Sequence, residues 1–511
     1  MNWDASWPPS LTTGRVLRDT VLWHGMPSFA RSVVYTVILI AASLVTEPSV
    51  LSAGGTALDD GHAIVSLDLA LARAYCGIPS SLSGTVHIAA DISARIALRD
   101  VPVRTLIVEK AGSVDAYCRS VDGPFVNSEN SLMLVEAAAL RVAPGLSLAQ
   151  LGQVLQGIKI ACVAAFVLLL MDLGSSIVFG LATFLCGLLV LHSMPDYVYS
   201  SYPFLFTLVL AAAALHGFAV RYRWTDRRAG VWLFGATAGL LSAFIVNMRT
   251  SYLPIVGLFF FVALVEEARS RGRVMPLGRR GLRGLALAVS FLAAYGVFQE
   301  GLITRHLRAE TRFNASHPFG HPLVLALAVP ENDLSRAVGI RWADEVGPQI
   351  AERIDPGAPF PGPRYNSALL RYYADLWRAH PRAMLATYGL KFRTSGSDML
   401  AVLRRSPGSV GWAVSVLLTP LALLPNGLWL LGLYAAITAG AFVVHYTRNA
   451  PAAFVMGLVS LAACLVQIES GVIFSVFTKQ YHNYAEFYAL FVSLCGVQAA
   501  GEGVRVLAAR R

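Results

Sequence analysis

The stretch LGSSIVFGLATFLCGLLVLHSMP, residues 173–195, contains no Asp, Glu, Lys or Arg. Residues 197–220, 229–248 and 449–467 are equally free of these charges. Each run is close to the roughly 20 apolar residues that a helix needs to cross about 30 Å of hydrocarbon. The whole chain is 55% hydrophobic and only 14% charged, against about 25% charged in soluble proteins. These runs decide the fold class: an all-α polytopic membrane protein with about eleven transmembrane helices.

Working outward from residue 173, spans are expected near 152–172, 174–193, 203–220, 229–247, 250–266 and 283–302, and again near 409–424, 427–446, 450–468 and 484–500. The earliest apolar run, 32–46, follows Arg15, Arg18 and Arg31 after a leader too long for a cleaved signal, and reads as a signal anchor with a cytosolic amino terminus. The chain then divides into a cytosolic segment 1–31, the helix 32–46, a first external block 47–152, a bundle 153–302, a second external block 303–408, terminal helices 409–500 and a basic tail 501–511. Both blocks are expected to be helical or mixed. In the first, 65–75 and 131–142 are amphipathic and suit helices along a membrane surface. In the second, a helix is expected over 367–392, and His317-Pro318, His321-Pro322 and Asp355-Pro356-Gly357 signal turns.

Orientation follows from arginines. One connection carries Arg221, Arg223, Arg227 and Arg228; another carries Arg269, Arg271, Arg273, Arg279, Arg280 and Arg283. Placing both in the cytosol turns the two blocks outward, in agreement with the anchor helix. The setting implied is a bacterial inner membrane, with any active site on the periplasmic side. Four crossings after the second block would leave Arg505, Arg510 and Arg511 outside, against the same rule. Either one segment is re-entrant or another crossing hides in 383–402.

The net charge of +10 does not indicate nucleic acid, because no compact basic module with interleaved aromatics accompanies it. Six cysteines occur without metal-ligand spacing. Cys162, Cys186, Cys464 and Cys495 fall in apolar spans; Cys76 and Cys118 lie in the first external block, and the sequence leaves their pairing open.

Asp59-Asp60 opens that first block. Adjacent carboxylates repel, so a cation or a catalytic role accounts for them better than packing does. A solvated turn among Gly54, Gly55 and Gly61 is the plain alternative. An anchor helix, a long external loop that opens with an acidic pair, many spans and a late second external block together resemble the GT-C superfamily of lipid-phosphate-sugar-dependent glycosyltransferases, which includes the protein O-mannosyltransferases and the aminoarabinose transferases. The likeness is architectural; its local match is the acidic pair, Asp-Asp here where many relatives have Asp-Glu. It implies an enzyme that moves a sugar from a polyprenyl-phosphate donor in the membrane lipid to a glycan, lipid or protein acceptor, with Asp59 or Asp60 as general base.

A lipid phosphate leaving group needs cations. Arg249, alone among charges in its stretch, and Lys479 with His482 before the last span are the candidates, with Lys159 inside the second span as a further one. An outer-interface position is the plain reading of Lys159, and snorkelling that of Arg249. The resemblance also implies that Asp196 helps hold a divalent cation, Mg or Mn; a turn role is the alternative. His317 and His321, four apart, have helical metal-ligand spacing, but the proline after each argues against a helix. They could instead line an acceptor groove with Trp342, Tyr365 and Trp377, or these aromatics could be ordinary core. A glycan polymerase or ligase of the O-antigen type is one alternative to the transferase, and a lipid or glycan transporter another.

Overall fold

The computed structural model describes residues 61–77, 100–120, 130–173, 177–192, 201–222, 227–248, 252–270, 277–304, 320–358, 362–405, 421, 423–448, 450–468, 489 and 491–495. Among them the chain is almost entirely helical and contains no strand, only an isolated bridge between Pro102 and Ser147. The first block supplies α1 (Gly61–Cys76), α2 (Val103–Ala111), α3 (Val114–Ser120) and α4 (Asn130–Val142). The bundle follows as α5 (Leu148–Asp172), α6 (Ile177–His192), α7 (Ser201–Arg221), α8 (Arg228–Met248), α9 (Leu253–Ser270) and α10 (Leu277–Phe298), which ends in a π-helical turn, Gln299–Thr304. The second block holds α11 (Gly320–Leu325), α12 (Asp333–Val338), α13 (Val346–Ile354), α14 (Pro363–Ala379) and the start of α15 (Pro381–Arg405); α16 (Gly427–Arg448) and α17 (Pro451–Ile468) complete the described elements.

Five described helices are long and apolar enough to cross a membrane: Leu148–Asp172, Phe204–Arg221, Arg228–Met248, Gly281–Ile303 and Gly427–Thr447. The expected eleven are not reached among the described residues, and 32–46 lies outside them. Helix α5 begins earlier than its apolar run because Ser147 and Gln150 form a capping box: the Ser147 hydroxyl accepts from the Gln150 amide at 3.2 Å, and the Gln150 side chain accepts from the Ser147 amide at 2.9 Å.

Two other expectations change. The single helix over 367–392 is two, because α14 ends at Ala379, His380 leaves helical geometry, and Pro381 can only open the next helix. His321-Pro322 is not a turn but sits in the first turn of α11, where a proline needs no amide partner. The turn at Asp355-Pro356-Gly357 is present, with Gly357 at φ 72°.

Alternating helices place their ends at two faces. At one, Gln156 of α5 donates to the Leu191 carbonyl of α6 at 3.3 Å, Lys159 stands 4.8 Å from the Phe204 ring of α7, and Asn247 of α8 donates to Gln299 after α10 at 2.8 Å. The first block sits on this same face. Leu134 of α4 packs against Ala243, Phe298 and Ile303, and Arg73 of α1 donates to the Leu302 carbonyl at 3.3 Å. Since the second block starts after Thr304, both hydrophilic segments issue from one end of the bundle. Within the first block Cys76 and Cys118 are joined by a disulfide, Cα to Cα 5.3 Å.

At the other end Arg221 closes α7, Arg228 opens α8 and Arg269 stands in the last turn of α9. Arg269 donates to the Tyr446 carbonyl at 2.8 Å and lies 3.9 Å from that ring, while Glu266 and His445 approach to 3.5 Å. The carboxyl end of α16 therefore lies at the arginine end. A count in which 409–424 and 427–446 each cross once from the second block would put it at the opposite end. Agreement requires an even number of crossings before Gly427. Helix α15, about 37 Å long at 1.5 Å per residue, joins the two cores, with Met384 in that of the second block and Leu400 in that of the bundle.

In lipid, helices associate through close packing rather than through the hydrophobic effect, so small residues mark the tightest contacts. Gly235 and Gly239 of α8, four apart, form such a seam. A methyl group on Gly239 would lie 2.3 Å from the Phe291 carbonyl of α10, and one on Gly235 1.9 Å from the Ser290 hydroxyl. Gly239→Val is expected to cost about 1–3 kcal/mol as overpacking, read as a lower midpoint of SDS unfolding from mild detergent. Gly296→Ala, where nothing lies within 4 Å, should leave the midpoint in place. Equal midpoints for all three proteins would contradict the close approach.

Candidate functional site

The boundary between the first block and the bundle is polar. Helix α4, although amphipathic, does not turn its polar face wholly to water: Asn130, Ser131 and Glu136 are buried, as is Asp68 on α1. Beneath them Lys159 of α5 is fully buried, its ammonium over the Phe204 ring and within electrostatic range of Glu136. Gln156, one turn earlier on the same side of α5, is also buried. An ammonium eleven residues into an apolar helix is tolerable only when paired. None of Asp68, Asn130, Glu136 and Lys159 is without an interaction. Lys159 is therefore an interior residue and not the interfacial one that a span-end position would give. Burial raises the Tyr117 phenol well above its ordinary value, and the nearby Asp68 carboxylate adds to the effect.

Of the other residues singled out from the sequence, Asp59, Asp60, Asp196, Arg249, Lys479, His482 and His317 lie outside the described residues. Among the described residues no three His, Cys, Asp or Glu side chains gather as metal ligands.

His321 is inside the second block. Its Nδ1 is 2.5 Å from the Tyr365 hydroxyl and its Nε2 is 3.3 Å from Asp344. A Cβ on Gly347 would come within 2.5 Å of that ring, so the histidine is tightly enclosed. Tyr365 is fully buried, with its phenol pushed up first by burial and then by Asp344. Trp377 stacks on Tyr388 at 5.9 Å, and Tyr388 shares a 2.6 Å hydrogen bond with Tyr373. Tyr365 thus belongs to the core and half-buried Trp377 packs against it, while of the aromatic trio Trp342 is open, 49% exposed.

The sequence reading missed Lys391. Its ammonium, 1% exposed, donates to the Ala326 carbonyl at 2.6 Å, and burial lowers its pKa to about 7. One turn away, Thr387 donates to Asn332 at 3.1 Å. Asn332 in turn caps α12 in a box with Ser335 and donates to the carbonyls of Leu327 and Pro330 at 2.6 and 2.9 Å. The spacing Thr387 to Lys391 on a helix is the signal that was available. The chain matches no family model, no curated protein and no solved structure.

Two measurements test these buried charges. Lys159→Met or Glu136→Gln alone strands one buried charge, at a cost of about 3–5 kcal/mol, while Lys159→Met with Glu136→Leu should cost less than either. Strict additivity in thermal unfolding would show that the two do not interact. For Lys391 the sign is set by its lowered folded-state value. Between about pH 7 and the ordinary 10.5 the unfolded chain holds a proton that the folded one has released, so stability rises with pH across that window. Lys391→Met should remove this rise; an identical pH profile for the variant would show that Lys391 does not titrate there.

Proposed function

We propose that this chain is an integral membrane glycosyltransferase of the GT-C type, active at the outer face of a bacterial inner membrane. The observation that carries the reading is the sorting of polar mass. Both hydrophilic segments issue from one end of the helical bundle, and Arg221, Arg228 and Arg269 mark the other. The positive-inside bias places the arginine end in the cytosol. The Cys76–Cys118 disulfide supports an oxidising compartment for the opposite end, independently of charge.

In this reading a polyprenyl-phosphate sugar enters from the lipid. Asp59 or Asp60 takes the proton from an acceptor hydroxyl as its oxygen bonds to the anomeric carbon. The bond from that carbon to the phosphate oxygen breaks, and polyprenyl phosphate leaves with the electron pair. Arg249, Lys479 and His482 balance the departing charge, with a divalent cation at Asp196 as a further aid. Lys159, buried beneath Glu136, supports the floor of the site rather than the phosphate. A transporter is the second reading, favoured by the ionisable pairs at both ends of the bundle, Glu136 with Lys159 and Glu266 with His445.

Purified protein incubated with polyprenyl-phosphate sugars and an envelope extract should transfer sugar. Asp59→Asn or Asp60→Asn should lower the rate by about 10²-fold or more, the contribution of a general base. Equal transfer by all three proteins would remove the carboxylates from the mechanism, and uptake into vesicles without transfer would favour the transporter.

A further inference from the structure

Residues 326–342 build an open cleft in the second block. The chain leaves α11 through a short 3-10 turn, Ala326–Ala328, passes Pro330, and enters α12 at the Asn332 cap. Gly339, in the left-handed region at φ 72°, ends α12 and swings Arg341 and Trp342 back beside Glu331. The result is a cavity of about 400 Å³ lined by Glu331, Arg336, Arg341 and Trp342 over an apolar floor of Ala328 and Ile340. One wall is fixed. Lys391 and Thr387 of α15 hold the backbone beneath that wall, through the Ala326 carbonyl and the Asn332 side chain, while Arg341 and Trp342 stand on the short connection between α12 and α13.

The lining defines the chemistry. Trp342 is half exposed, although an indole gains by covering its rings, and makes a flat apolar platform beside polar groups. Arg336 is already held by Asp333 at 2.6 Å and Glu331 at 3.5 Å, so its charge is largely neutralised. Arg341 is exposed and has no ion-pair partner among the described residues. Its guanidinium is a planar fork of donors that matches a carboxylate with two parallel hydrogen bonds. Glu331 is an acceptor for hydroxyl groups. A ring with one apolar face, several hydroxyls and a carboxylate satisfies all three.

We propose that this cleft binds an acidic saccharide, with a uronate ring stacked on Trp342, its carboxylate on Arg341 and its hydroxyls directed at Glu331. Its purpose as an acceptor site rests on the glycosyltransferase reading; its geometry does not. The cleft would hold one residue of an acceptor glycan at a fixed distance from the bundle.

The test is a calorimetric titration of the full-length protein in detergent micelles with an oligogalacturonate tetramer, and with a neutral cellotetraose, in the absence of any donor. The acidic sugar should bind at least about fivefold more tightly than the neutral one. Trp342→Ala should weaken it by about tenfold, the scale of one aromatic contact, while Trp342→Tyr retains most of the affinity. Arg341→Gln should bring the acidic sugar down to the level of the neutral one. Both positions are exposed, so the fold is expected to survive, and an unchanged melting temperature checks this. Absence of binding, or binding indifferent to Trp342→Ala, would overturn the site; equal affinity for both sugars would overturn its acidic preference. Because no donor is present, Trp342-dependent binding by a protein without transferase activity would remove the enzyme reading alone, and transfer without such binding would remove the cleft alone.

Discussion

Hydrocarbon cannot hydrogen-bond a peptide group, so a chain that enters it must close its backbone bonds within helices and send its polar side chains to one end or the other. Much of the architecture follows from that constraint. The ends of α5, α6, α7, α8 and α10 gather under the first block, and the same constraint makes the π-helical turn at Gln299–Thr304 a natural exit, since Gln299 can be met there by Asn247. The arginines collect where the opposite ends meet. Helix α16 obeys the rule in a way that counting spans does not reveal, because its contacts with Arg269 and Glu266 fix which end its last turn occupies.

Ionisable groups that remain inside are exceptions, and their positions are not random. Lys159 and Glu136 lie at the seam between block and bundle, and Glu266 and His445 lie between α9 and α16 near the arginine end. Glu136 and Lys159 join the consecutive helices α4 and α5, whereas Glu266 and His445 bridge two elements that are far apart in sequence. Breaking such a pair costs more than the pair itself contributes, so each acts chiefly as a constraint on which helices may neighbour one another. The apolar contacts alone are less selective, since one leucine face resembles another. The glycine seam of α8 against α10 has comparable specificity, because it requires two particular backbones to approach.

The helices of the bundle were legible in the sequence because lack of charge over twenty residues is a strong and local signal. Span edges were less so, although Ser147 to Gln150 carries a capping box in plain view and His380-Pro381 a break. Glycines at 235 and 239 mark a close packing face that hydropathy overlooks and that the structure alone revealed. What could not be read was pairing across the chain. Nothing local tells Lys159 that its partner is on α4, or Cys76 that it meets Cys118, since both are consequences of how the first block settles on the bundle. The second block left a different ambiguity. Tyr365, Trp377 and His321 could be read as groove or as core, because aromatic and histidine side chains suit both a core and a sugar site. The burial of Tyr365 and His321, and the stacking of half-buried Trp377 on Tyr388, separate the two uses and leave Trp342 as the exposed one.

That separation gives α15 its place in the structure. Its first half carries Met384, Thr387 and Lys391 into the second block, where the last two hold the backbone beneath the cleft; its second half brings Leu400 into the bundle core. A single helix of about 37 Å therefore ties the frame of the cleft to the membrane-embedded helices with no flexible joint between. Burying Lys391 to make that tie opposes stability, since a neutral side chain in its place would avoid desolvating an ammonium. In return the Ala326 carbonyl, which already accepts from the Val329 amide at 3.2 Å, gains a second donor. The wall of the cleft at Ala326 to Asn332 is thus held by the same helix that enters the bundle, and a displacement of α15 would move that wall relative to Trp342.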